Sequence, residues 1–439
     1  MALALNSINR AQLERNADWL AIAVAVSLPW STTATVILLV LWLIALIPTF
    51  RLSDLRREAP LTTLVGGLPV ALWLLAVLGM LWSDVSLHER LLGLSGYHKL
   101  LTIPLLIAQF RRSDRARWVI IGFLVSCVAL LLLSWLPTIV PSLASIAWRN
   151  SPGVPVKDYL TQSSIFQLCV FGLAYLAFDD WRCGRHQRAL VLAGLALLFF
   201  ANIIYLVSAR TVLILMPVFV LLLGFQLFGW RGLVAAIVAG VALGGIVWSS
   251  SAYMRGHLTS LVTIWTSSDY VRVQVMRLVN GSKMDPADVE LASAGLRLEF
   301  YQKSIAIMRN APIIGHGTGT IHARFEDIDI GKTGIAGITT GNPHQQTFAV
   351  GIQLGLVGVA LLWAMWLVHL LLFRGEGIVP WSGLLVVLQN ILGSPLNSNL
   401  FDFTQGWIYV FAVGVLGGAV LRAAPERTNT VTPRNGSRL

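Results

Sequence analysis

The sequence predicts an all-α integral membrane protein of about twelve transmembrane helices, with one large extramembrane loop containing short helices. Three observations carry that reading. Of 439 residues, 56% are hydrophobic and 12% charged, with a mean hydropathy of +0.72, far from the balance of a soluble globular domain. Apolar runs long enough to cross about 30 Å of hydrocarbon recur along the chain. No alternating ten-residue pattern occurs, so helices rather than a barrel must satisfy the backbone.

The spans are expected at about 17–32, 34–49, 61–82, 94–110, 117–137, 160–178, 188–207, 211–228, 231–249, 344–372, 379–396 and 403–421. The first two are short and compatible with one re-entrant hairpin. Arg10 and Arg15 ahead of an apolar run resemble a signal sequence, but more apolar spans follow without a soluble domain, so an uncleaved anchor is expected. The chain divides into 1–249, nine spans with short loops; 250–343, the large loop; 344–421, three spans; and 422–439, a polar tail expected to be disordered.

Charge sets the orientation. With the N-terminus in the cytoplasm, cytoplasmic segments hold 18 of the 32 basic residues, including Arg51, Arg111, Arg112, Arg182, Arg231, Arg374 and Arg422. Short loops on the other side hold only Arg90, Lys99, Arg149, Lys157 and Arg210; the rest lie in 250–343, and long loops are exempt from the positive-inside rule. Both termini are therefore expected inside. The net charge of +11 is explained as orientation signal facing anionic lipid rather than a nucleic-acid footprint. Cys127, Cys169 and Cys183 offer neither an external disulfide framework nor zinc-ligand spacing. No GxxxxGK[ST] loop occurs and no cytoplasmic loop is large enough for a nucleotide-binding domain, so no nucleotide, metal or other cofactor is expected.

The long loop mixes charged and apolar residues. Leu296, Phe300, Ile307 and Met308 make a helical stripe in "GLRLEFYQKSIAIMRN", and "APIIGHGTG" then breaks on Pro312 and turns on Gly315 and Gly317. Short helices lying over the membrane are expected here.

Candidates for chemistry gather on the outer face. In "TGNPHQQTFAVGIQLGLVG", Asn342 and Pro343 read as a helix cap and first position, which puts His344 in the first turn of a membrane helix. The positive end of the helix disfavours imidazolium, and a neutral imidazole can act as general base toward a hydroxyl. The plain alternative is an interfacial histidine that bonds a loop. Gly351, Gly355 and Gly358 read as a stripe for close helix packing. Arg210, at the outer junction of two spans, departs from the charge rule; its fork suits a diphosphate, or it snorkels to lipid headgroups. Arg297 lies in the helical part of the loop with Glu299, Tyr301 and Lys303, either beside a substrate or as a solvated charge. Tyr301, Asn342, Gln345, Arg90 and Lys99 are further candidates for substrate binding. Asp327 and Asp329 have D-x-D spacing, a pattern able to hold a cation but more commonly solvated.

The stretch "HQQTFAVGIQLGLVG", with His344, Gln345, Gly355 and Gly358, resembles the histidine motif of O-antigen ligases. Polymerases and protein-glycosylating relatives share it more loosely. The arginine of "SAR", the large loop before the histidine helix and "RNAPIIGHGTG" are also similar, so the motif resemblance spans roughly 200–360. It implies a GT-C type glycosyltransferase of the bacterial inner membrane, with a periplasmic active site. A glycan would pass from undecaprenyl diphosphate to a sugar of lipid A-core, without nucleotide or metal. On these residues, Arg210 and Arg297 would hold the departing diphosphate, with Arg309 or Arg324 able to substitute for Arg297. His344 would deprotonate or orient the acceptor hydroxyl from the opposite face, with inversion. Two rivals remain: a polymerase, whose acceptor is a second lipid-linked glycan, and a transporter, which should show broken helices at the midplane and internal symmetry.

Overall fold

The computed structural model describes residues 2–49, 63–140, 153–207, 209–250, 268–279, 281–282, 286–332 and 337–423. Among them every regular element is helical: α1 (Ala2–Ser27), α2 (Thr32–Leu46), α3 (Leu64–Gly79), α4 (Leu87–His98), α5 (Thr102–Arg112), α6 (Ala116–Ile139), α7 (Tyr159–Arg182), α8 (His186–Tyr205), α9 (Arg210–Ser250), α10 (Ser268–Val279), α11 (Pro286–Asn310), α12 (Ile321–Asp329), α13 (Gln346–Leu372), α14 (Ile378–Gly393), α15 (Phe403–Phe411) and α16 (Gly417–Ala423). Side chains supply the local starts. Ser31 accepts from the Ala34 amide at α2, Ser86 and Glu89 form a capping box at α4, and Asp158 and Asp402 cap α7 and α15.

Among the described residues, eight helical stretches are long and apolar enough to cross a membrane. The α3 and α14 segments are apolar but shorter, and α1 does not reach that hydropathy, so helix length and composition do not establish the expected twelve. One of the eight, α9, is interrupted at Gly229 (φ 61). Eight residues of straight helix would separate Gly224 from Gly232 by about 12 Å, yet a Cβ on either would strike the other's backbone carbonyl. The chain therefore doubles back, and the two expected spans 211–228 and 231–249 are the limbs of a helical hairpin.

Large rings fill the bundle: Trp42, Phe110, Phe166, Phe199, Trp366, Trp381 and Tyr409 are all essentially inaccessible. Several polar groups inside it are paired between helices. Trp42 donates to Gln109 (2.8 Å), Asn202 to Ser134 (2.9 Å), Trp381 to the Phe171 carbonyl (3.0 Å), and Gln389 to the Ser164 carbonyl (2.8 Å). Such interhelical bonds contribute about 0.6 kcal/mol each on average.

Contacts separate two ends of the bundle. At one, Arg115 meets Asp18 (3.5 Å), Arg185 and Arg188 clasp Asp180 (2.6 and 3.0 Å), and Gly377 donates to the Tyr175 hydroxyl. At the other, Gln346 donates to the Ser394 carbonyl and Lys157 to Thr404. The helices α10, α11 and α12 cap this second end. The expectation of short helices was too modest for α11, which runs 25 residues. Residues 251–267, Arg149 and the tail beyond 423 lie outside the described residues.

Candidate functional site

The site is built where three segments meet at the second end: the strap 337–345, helix α11, and the turn between α14 and α15. His344 does not occupy the first turn of its helix. The cap of α13 is Gln345, whose side chain accepts from the Phe348 amide, and His344 stands just before it with φ 53. Left-handed backbone at a non-glycine residue costs about 1–3 kcal/mol and persists where surroundings enforce it. Here Asn342 Oδ1 accepts from both the His344 amide (2.9 Å) and the Ser398 hydroxyl (2.8 Å). Asn342 thus shapes the turn ahead of the helix instead of capping it.

The ring of His344 is half-buried and stacks over Phe300 at 6.3 Å between centroids, 21° from parallel. Burial lowers its proton affinity below that of an ordinary histidine, the nearby Arg297 guanidinium lowers it further, and a side-chain hydrogen bond with Asn397 opposes both. The cause anticipated from the sequence was the helix terminus; the observed causes are burial and an arginine. The same Arg297 charge acts on Tyr301, whose hydroxyl is pushed up chiefly by burial. That hydroxyl donates to the Pro395 carbonyl at 2.5 Å, with the His344 carbonyl at 3.3 Å. One helix face, Arg297, Phe300 and Tyr301, therefore bears on the histidine.

The strap is anchored from below. Buried Lys303 pairs with buried Asp329 (2.7 Å) and donates to the Ile338 carbonyl (2.8 Å), and Thr339 donates to Asp329 (3.1 Å). The D-x-D pair is therefore split: Asp329 is neither solvated nor free to hold a cation, and exposed Asp327 pairs with Arg324 (3.1 Å). No cluster of three His, Cys, Asp or Glu suited to a metal occurs among the described residues. Arg324 also holds Asp84 (2.7 Å), and Arg309 is exposed beyond the site. Of the three arginines weighed for this helical region, Arg297 is the one beside His344.

Helix α13 is broken at Gly355 (φ 62). The break frees backbone groups on both sides, and the loop after α11 pairs with four of them. His316 and Gly317 amides donate to Ile352 and Gln353 carbonyls (both 2.9 Å), while Leu356 and Val357 donate to Pro312 and Ile313 (2.8 and 3.2 Å). A Cβ on Gly355 would fall on the Ile313 carbonyl. The expected packing role of the three glycines changes accordingly. Gly351 admits Met308 of α11, Gly355 admits a loop, and Gly358 is confined by Leu354 and Val350 of its own helix.

Two other candidates are turned inward. Arg90 donates to the Val85 and Met80 carbonyls (2.8 and 2.9 Å), closing the end of α3, and buried Lys99 donates to the Asp402 carbonyl (2.7 Å). Both side chains hold backbone carbonyls. Tyr301, Asn342 and Gln345 are likewise engaged within the protein, around the histidine. Arg210 begins α9, and its side chain lies outside the described residues. Its neighbour Thr211 lies against Gly393, next to the Ser394 that receives the Gln346 amide. The start of α9 and the start of α13 therefore come together at the same end. Asn397 and Ser398 were missed in the sequence. The polar run "SPLNSN" between two apolar segments, a turn composition, was the available signal.

Residues 195–363 match a family described as O-antigen ligase, a region containing Arg210, Arg297, His344 and the broken helix. The match covers 169 of the 439 residues and makes this region similar to the O-antigen ligase/polymerase superfamily, which supports an activity of that general type. No curated protein matches the chain.

Proposed function

We propose that the protein is an O-antigen ligase of the inner membrane. It transfers a polysaccharide from undecaprenyl diphosphate to a sugar hydroxyl of lipid A-core on the periplasmic side, with both termini cytoplasmic. The observation that carries this reading is the pairing of Arg297 with a histidine of lowered proton affinity at the end of the bundle where the start of α9 also lies.

A base must be unprotonated to act, and His344 meets that requirement at neutral pH. As the bond between the anomeric carbon and the diphosphate oxygen breaks, its electron pair leaves on the diphosphate. In this reading Arg210 and Arg297 take up that charge. The acceptor oxygen attacks from the opposite face and its proton passes to His344, which gives inversion at the anomeric carbon. No step uses a nucleotide or a metal.

The test uses purified protein with polyprenyl-diphosphate-linked glycan, lipid A-core and excess chelator, without nucleotide. Glycan on lipid A-core is the expected product. Longer lipid-linked glycan as the sole product would make the protein a polymerase, and no transfer to either acceptor by folded protein would overturn the reading.

A further inference from the structure

A polar cavity of about 350 Å³ opens at the site end between α4, the Gly319–His322 segment, Gly341 and Phe401. Its volume lies within the range of about 300–1,000 Å³ found for small-molecule sites. Gly341 is three residues before His344 on the same strap, so whatever fills the cavity abuts the catalytic turn. The lining carries hydrogen-bonding groups, namely the Glu89 carboxylate, the Ser95 hydroxyl, the His322 ring and Gln353, together with the Phe401 ring. It contains no arginine or lysine, and no residue of α9 or α11, the elements that bear Arg210 and Arg297. Without an arginine or lysine the lining offers a diphosphate no fork of donors, whereas its single carboxylate, neutral polar groups and aromatic ring suit hydroxyl groups.

We infer that this cavity is a subsite for a neutral sugar of the acceptor glycan, next to the sugar whose hydroxyl reacts at His344. The inference rests on the ligase reading for the identity of the acceptor, but the site is accessible to a binding test without turnover. Gly341 is suited to that test. Its backbone is ordinary, and a Cβ there would meet only the His322 ring carbon, at 3.9 Å.

The first experiment labels a Gly341→Cys variant with a maleimide in the full-length protein, with exposed Cys183 changed to Ser. Cys127 and Cys169 are buried. Lipid-free core oligosaccharide should slow labelling at position 341 by about fivefold or more near saturation, while sugar-free polyprenyl diphosphate should not. Unchanged labelling with the oligosaccharide, or protection by the diphosphate instead, overturns the proposal. The second experiment fills the cavity with Gly341→Leu. KM for the acceptor should rise about tenfold with KM for the donor unchanged, the signature of lost acceptor binding; an unchanged acceptor KM, or a rise for the donor alone, overturns it. If the wild type proves to transfer nothing, the ligase reading fails while the labelling result still decides the cavity. If it elongates lipid-linked glycan, that glycan becomes the titrated acceptor.

Discussion

Two helices of this bundle are interrupted by a glycine at nearly the same dihedral, Gly229 at φ 61 and Gly355 at φ 62, in different surroundings. At Gly229 the chain reverses at the basic end, and a Cβ would meet nothing within 4 Å. At Gly355 the chain also bends back sharply, so that Gly351 faces Val359 and Gly358 faces Val350, but here the break is filled by the loop 312–317, which pairs with carbonyls and amides on both sides. A backbone conformation alone therefore assigns no role. What distinguishes the two is whether another segment occupies the break. At Gly355 it does, and that segment ties the outer cap to the helix that His344 precedes.

If the Gly355 assembly exists to carry a catalytic base, the largest effect belongs to the base itself. His344→Ala should cut transfer by about 10²–10⁴-fold while leaving insertion and melting unchanged; near-normal transfer in an in vitro assay would remove the general-base role. Arg297→Lys replaces a bidentate fork by a point charge, and a loss on the order of 10²-fold in kcat is expected. A rate equal to wild type would detach Arg297 from the diphosphate.

The glycines themselves come next. Gly355→Ala adds left-handed strain of about 1–2 kcal/mol to a collision with Ile313, so melting in detergent and transfer should both fall. Gly229→Ala carries the strain alone and should lower melting modestly with transfer retained. Equal losses at the two positions would dissolve the contrast. Lys303→Ala leaves Asp329 buried without its partner, a loss of about 3–5 kcal/mol for a buried pair, and should loosen the strap.

The smallest effect is a shift in pH dependence. Because burial and Arg297 lower the His344 pKa, the acid limb of kcat/KM should fall below the ordinary histidine value of 6.5. Removing the positive charge in Arg297→Gln should move that limb upward, toward 6.5, whatever the loss in rate. Losing the Asn397 hydrogen bond, in Asn397→Ala, should move it down. A limb that stays put in Arg297→Gln would mean the two side chains do not share a field in solution.

The sequence by itself determined that this chain is helical and membrane-embedded, that the basic residues of its short loops gather in alternate loops, and that His344 and Arg297 are worth singling out. Those features are local: hydropathy over twenty residues, charge between apolar runs, and a histidine before a glycine-spaced helix. It also placed the limbs of the α9 hairpin correctly, since a polar, glycine-flanked Arg231 marks the turn. Tertiary structure decided the rest, because the deciding partners are far apart in sequence. Asp329 was one of two loop acids until Lys303, 26 positions earlier, buried it. Gly355 read as a packing glycine until the Pro312 loop took the exposed backbone of its break. Arg90 and Lys99 read as surface cations, but the carbonyls they hold, as distant as Asp402, turn them inward. Asn397 carries no periodic signal at all and matters only through the histidine it meets. Charge and periodicity announce a residue's type and exposure, while its role depends on which atoms arrive beside it, and only the folded chain fixes those.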